Sequence, residues 1–108
     1  MKPWYIYTWR FPEVEDHPAV VLGTETRLAN KTKVNVLLCS SKRAGRVPAE
    51  FETLLDEADG LEWATLCKCD LVFAVPKEQL VRPRGTVTAP RRRQIAERLI
   101  RALGLAGL

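Results

Sequence analysis

Only one histidine, His17, and three cysteines occur among the 108 residues. Three cysteines cannot all pair with one another, and this density is far from that of a disulfide scaffold. A Cys-x-Cys with one further cysteine and one histidine matches no zinc spacing well, so no metal and no cofactor is expected. No apolar run approaches the roughly 18 residues that a membrane span needs. Met1-Lys2-Pro3-Trp4 is followed by no signal-peptide core, and the expectation is a reduced, cytoplasmic protein away from membranes. Low-complexity tracts, repeats and linkers are missing too. A length of 108 residues then suits one domain, 1–108, with one modest core.

Charge is present in both signs but unevenly placed. The net charge is +4. Residues 1–46 carry eight basic and four acidic side chains, 47–67 carry six acidic and none basic, and 77–108 carry eight basic and two acidic. Such a bipolar chain can favour a polyanion on one face and repel it on another, or simply solvate both.

Aromatic and β-branched residues crowd 4–10, which reads as a strand ended by Phe11-Pro12. A polar, proline-bounded loop is expected over 13–18, a short buried strand over 19–22, and a polar turn over 24–32. A strand over 33–39, a basic loop over 40–50, a short strand over 51–55 and a turn at Asp59-Gly60 follow. The longest strand is expected over 63–73, then a helical turn at 77–80 and an extended piece over 82–88 bent at Gly85. Thr88 as N-cap and Pro90 in the first turn open a helix that ends at Gly104. It places Ile95, Leu99 and Leu103 on its buried face, with Gln94, Glu97, Arg98 and Arg101 outside. Several short strands and one terminal helix predict a mainly β domain: a small antiparallel barrel closed by a helix.

Leu66-Cys67-Lys68-Cys69-Asp70 is the most informative stretch. Alternation on a strand puts Cys67 and Cys69 on one face and Lys68 and Asp70 on the other. Small cysteines suit a core. An ammonium and a carboxylate then stand side by side on an open face. They form either a surface ion pair worth about 0–1 kcal/mol or the paired acid and base of proton transfer. The opposite register would turn the thiols outward as a metal edge. His17 is the residue type that can act as a general acid or base near neutral pH, or it is a structural residue. Ser40-Ser41 ends a strand, where hydroxyls cap a turn or meet a phosphate. Arg91-Arg92-Arg93 opposes the helix macrodipole at a cost of roughly 0.3–1 kcal/mol per exposed cation. A bound anion, or a salt bridge to the acidic block in the same or a neighbouring chain, would offset that.

The order of these segments resembles the MazF/PemK/Kid family of toxin–antitoxin ribonucleases. His17-Pro18-Ala19-Val20-Val21-Leu22 resembles its Arg-Pro-Ala-Leu-Val-Ile strand, and 34–41 its apolar strand ending in Thr-Ser. Lys68-Cys69-Asp70 resembles its Arg-Cys-Asp or Val-Asp-Gln strand. Val75-Pro76-Lys77-Glu78-Gln79-Leu80 and Gly85-Thr86-Val87-Thr88 resemble its Asp-Lys-x-x-Leu and Gly-x-Leu-Ser segments. The likeness spans about 5–105. Four departures stand out: His17 replaces the Arg before Pro, Lys68 the strand Arg, and Ser40 the Thr, while Leu71-Val72-Phe73-Ala74 stands where the family has Gln-x-Arg-Thr. Lysine lacks arginine's bidentate fork.

The resemblance implies an SH3-like antiparallel barrel with a C-terminal helix, a homodimer, and metal-free cleavage of single-stranded RNA through attack of a 2′-hydroxyl. It implies a labile antitoxin partner whose peptide blocks the RNA groove. Lys68 and Asp70 are the expected reacting centre, with Ser40 and His17 beside them. Arg43, Arg46, Arg91, Arg92 and Arg93 are candidates for the RNA backbone. The alternative is a catalytically inactive dimeric module on the same fold that binds nucleic acid or a peptide; a third is a toxin that binds another protein.

Overall fold

The computed structural model describes residues 1–10 and 15–108. The strand end expected at Phe11-Pro12 and the start of the loop over 13–18 lie outside those residues. Among the described residues six strands, β1 (Tyr5–Trp9), β2 (His17–Leu22), β3 (Lys33–Cys39), β4 (Glu52–Leu55), β5 (Thr65–Pro76) and β6 (Leu80–Thr86), form one sheet in the order β4-β5-β3-β2-β1-β6. Every neighbouring pair is antiparallel. Helix α1 (Glu25–Asn30) joins β2 to β3, and α2 (Ala89–Ala102) follows β6. The mainly β class with a terminal helix is as expected.

Alternation builds two apolar layers. Ile6, Val20, Leu37, Cys39 and Cys67 face one way and are sealed by Ile95 of α2. Trp9, Val21, Val34, Val36 and Val75 face the other way, where Leu28 of α1 covers them. Full burial of a residue such as Ile95 stabilises by about 1.5–3 kcal/mol.

Among the described residues no ladder joins the end strands β4 and β6, so hydrogen bonding leaves the barrel open. Its two edges meet instead through the turn after β4. A Cβ added at Gly60 would lie 2.9 Å from Gly85 Cα, and one at Gly85 would overlap the Asp59 carbonyl oxygen. Only a missing side chain permits this approach. Asp59, in the 3-10 turn Glu57–Asp59, also accepts the Thr88 N–H at 2.9 Å and a guanidinium N–H from Arg91 at 2.6 Å. The turn therefore ties β4 to the N-terminus of α2.

Three local expectations change. Residues 24–32 are not a plain turn: Thr24 caps α1 through its Oγ1, which accepts the Arg27 N–H at 3.2 Å. One buried leucine in six residues is too short a pattern to register as helical periodicity. His17 and Pro18 belong to β2 rather than to the loop. On α2, Leu103 lies past the helix end and is exposed, whereas Arg98, expected outside, is half-buried and donates to the Glu52 carbonyl at 2.7 Å and Thr53 Oγ1 at 2.9 Å.

Candidate active site

Strand β5 is 12 residues long and serves two neighbours in turn. Its first part pairs β4, with Glu52 opposite Lys68; its later part pairs β3, with Leu37 opposite Val72. Between the pairs Cys39–Cys67 and Leu37–Val72 the register shifts. One residue of β3, Leu38, spans the interval that Lys68, Cys69, Asp70 and Leu71 span on β5. Such bulges re-aim side chains and release strand edges. The alternation expected from the sequence still holds through the first half: Cys67 and Cys69 are fully buried, Lys68 is half-buried, and Asp70 is exposed. The hydrogen bond with Cys67, and after it burial, push the Cys69 thiol far above its usual range, and both thiols serve as packing groups of the core.

An open groove of about 380 Å³ lies at the bulge, lined by Ala49, Glu50, Phe51, Glu52, Lys68, Asp70 and Leu71. Lys68 and Asp70 thus share one concavity, but they are not each other's ion pair. The Lys68 ammonium is held by Glu52, the residue directly across the ladder. Glu52 also accepts two N–H bonds from the Arg46 guanidinium, at 2.5 and 2.8 Å, and the Ala49 N–H at 2.8 Å. The Arg46 hydrogen bonds, followed by those from Lys68 and the backbone, hold its carboxyl well below the usual carboxylate range despite burial.

A depressed folded-state pKa stabilises the fold above the unfolded pKa, and that stabilisation fades as pH falls through the folded value. Glu52 starts from 4.5. Denaturant midpoints measured from pH 7 down to pH 3 should therefore hold steady to about pH 5 and then fall. The Glu52→Gln variant should start lower and lose less over the same interval; parallel curves would contradict this.

His17 and Ser40 sit on the same face, further along the sheet. Cys39 and Cys67 are cross-strand partners in the core, so Ser40, one residue on, projects to the opposite side with Lys68. Ser40 is anchored by its N–H to the Leu66 carbonyl at 3.0 Å, and its Oγ accepts the Lys42 N–H at 3.2 Å. His17 Nδ1 lies 2.9 Å from the Cys39 carbonyl oxygen. In the neutral ring Nδ1 then carries the proton and Nε2 is the basic nitrogen. From β2 to β5 is two strand spacings, about 10 Å, so a ligand touching both His17 and Lys68 lies across the sheet. Neither His17 nor Ser40 lines the groove itself.

The arginines divide. Arg46 belongs to the Glu52 cluster. Arg43 stacks over the exposed Trp63 ring at 5.6 Å. Arg91 donates to Asp56 and Asp59, Arg92 Nε donates to the Val87 carbonyl at 2.7 Å, and Arg93 is exposed. Of the two ways to offset cations at the start of α2, Arg91 uses the salt bridge within the same chain. Among the described residues no three His, Cys, Asp or Glu side chains gather in a way that could hold a metal ion, and no helix is long and apolar enough to cross a membrane.

Residues 2–103 match the family of PemK-like, MazF-like toxins of type II toxin–antitoxin systems. The chain belongs to this family. Its fold is similar to that of Mycobacterium tuberculosis toxin MazF-mt6, with a TM-score of 0.79 and 23% identity over 94% of this chain and 97% of that one. It is also similar to a mycobacterial endoribonuclease solved with its cognate antitoxin (TM-score 0.85, 18% identity, 100% and 99% covered). A third similar fold is that of MazE–MazF from Deinococcus radiodurans (TM-score 0.74, 15% identity, 98% of each chain). No curated protein matches the sequence.

In this PemK-like, MazF-like chain the residue that sequence reasoning missed is Glu52. It stood in an acidic block that reads as solvated surface, yet its side chain is 7% exposed. The available signal was position: Glu52 follows Phe51 at the start of a short apolar strand, where an acidic side chain must be partnered.

Proposed function

We propose that this toxin is an endoribonuclease acting on single-stranded RNA. A base takes the proton of a 2′-hydroxyl, and the oxygen bonds to the neighbouring phosphorus. The bond from phosphorus to the 5′-oxygen breaks, and an acid protonates that oxygen. The products are a 2′,3′-cyclic phosphate and a 5′-hydroxyl. Negative charge grows on the phosphorane, where a fixed cation acts most strongly. The observation that carries this reading is Lys68 half-buried on the wall of an open groove that also holds the exposed carboxylate of Asp70.

Lys68 is assigned to the developing charge, Asp70 to orienting or accepting a proton, and His17 to acid or base work through Nε2. Ser40 is assigned a contact to a phosphate oxygen. Arg46 and Arg91 are held by carboxylates, so backbone contacts fall first to Arg43, Arg92 and Arg93. Acid and base are side chains in this scheme, and it needs no metal. We further assign the toxin an antitoxin partner laid over the same groove, and a homodimeric state. The apolar run Leu71, Val72 and Phe73, 37–41% exposed beside the groove, suits a covered surface. Its action is placed in the cytoplasm, where buried unpaired thiols stay reduced.

Incubation of the pure protein with mixed-sequence single-stranded RNA in EDTA tests the reading. Fragments with cyclic phosphate ends, lost on Lys68→Ala or Asp70→Ala, support it. Intact RNA retained on a gel indicates a binding module instead. In either case affinity should fall log-linearly with salt, by about 0.7 per phosphate contact. Size-exclusion chromatography with light scattering reads the oligomer against the chain mass of 12.2 kDa.

A further inference from the structure

A buried carboxylate must be paired, and the bidentate Arg46 fork alone would satisfy that need. Glu52 has more: Arg46, the Ala49 N–H and Lys68 all converge on it. Its backbone is equally fixed. The Glu52 N–H donates to the Ala49 carbonyl at 3.1 Å, Arg98 from α2 donates to the Glu52 carbonyl at 2.7 Å, and the ladder sets Glu52 opposite Lys68. The carboxylate is therefore a rigid point, whereas a lysine ammonium rides on a flexible four-carbon stem. Glu52 and Lys68 both line the groove.

We infer that Glu52 is a positioning residue for the cleavage assigned above: it holds the Lys68 ammonium at the groove wall, beside Arg46, so that the N–H bonds of Lys68 not given to Glu52 meet the phosphate where charge develops. The inference rests on the endoribonuclease reading. Pre-set orientation raises the rate because no reorganisation is needed at the moment of reaction. The same carboxylate has an opposite effect on binding. Arg46 and Lys68 with Glu52 carry one net positive charge rather than two, so Glu52 weakens the pull on a ground-state phosphate. Rate and affinity are traded against each other.

The test separates them. Glu52→Gln should lower single-turnover cleavage about tenfold or more, the range in which misplacement of a reacting group acts. Its binding of an RNA carrying a 2′-deoxy sugar at the cleavage site should be equal or tighter, with a salt slope steeper by about 0.7. Glu52→Asp keeps the charge but retracts it, so its rate should fall with the salt slope unchanged. In the Lys68→Gln background, Glu52→Gln should cost no further rate, because the two act as one unit. A merely structural glutamate would lower rate and binding together, in step with the melting temperature, and that result overturns the inference. So does a wild-type rate in Glu52→Gln, or in Glu52→Asp should the Gln variant fail to fold. A wild type that cuts no RNA overturns the endoribonuclease reading itself, and this inference with it; a cutting wild type with full-rate Glu52 variants removes only the assignment of Glu52.

Discussion

Lys68→Ala should lower single-turnover cleavage by about 10²–10³-fold, the loss seen when one donor to a developing oxyanion is removed. RNA affinity should fall far less, with a salt slope shallower by at most about 0.7, because only one cation among several is removed. The fold should survive. Glu52 keeps the two Arg46 bonds and the Ala49 N–H, so no buried charge is left unpaired. Asp70→Asn should also lose rate, by the 10²–10⁴-fold typical of a general acid or base. Lys68→Arg discriminates further. Arginine is charged at all working pH values and can form a fork, so a retained rate would mark Lys68 as a charge stabiliser rather than a proton donor. Rates are read by chemical quench on one defined oligonucleotide. A Lys68→Ala protein that is folded and cleaves at the wild-type rate would remove Lys68 from the reacting centre.

The groove wall was readable from five residues. Leu66-Cys67-Lys68-Cys69-Asp70 alternates small apolar and charged side chains, and a strand can bury only one of those sets. On β3 the sequence reads only as a strand over 33–39, and the structure sets Val34 and Val36 facing away from Leu37 and Cys39. Two kinds of information were not readable. One is which strand lies beside which. The partner of Lys68 is Glu52, 16 residues earlier, because β4 pairs the first part of β5; adjacency in sequence suggested Asp70. The other is the direction of long side chains on a helix. Arg98 reads as solvent-facing by periodicity, yet its reach lets it satisfy backbone and hydroxyl groups at Glu52 and Thr53. Arg91 fell between these cases. Its unfavourable place at a helix N-terminus required some anion, and only the packing of the turn after β4 against β6 supplied Asp56 and Asp59 rather than a phosphate.

That arrangement gives the largest stability effect. The Asp59 side chain is 0% exposed. It accepts the Thr88 N–H at 2.9 Å, the Asp56 N–H at 3.0 Å and an Arg91 N–H at 2.6 Å. Asp59→Ala leaves Arg91 paired with Asp56 but takes the acceptor from two backbone N–H groups, at about 1–3 kcal/mol each, and should lower the unfolding free energy by that amount in urea titrations. The two N–H groups are those of Asp56 and of Thr88, the N-cap residue of α2. Arg91→Ala strands the same carboxylate without its cation, and it should be destabilising as well. Arg93→Ala, on an exposed position, should stay within about 0.5 kcal/mol of wild type. The contrast decides what Arg91 does for RNA. If it is a strut between the β4 turn and α2, then Arg91→Ala, assayed well below its melting temperature, binds single-stranded RNA with the wild-type salt slope. A slope shallower by about 0.7 would show that Arg91 neutralises a phosphate in the wild-type complex. It would mean that Arg91 leaves Asp56 and Asp59 when RNA arrives, and that binding loosens the same joint that closes the barrel.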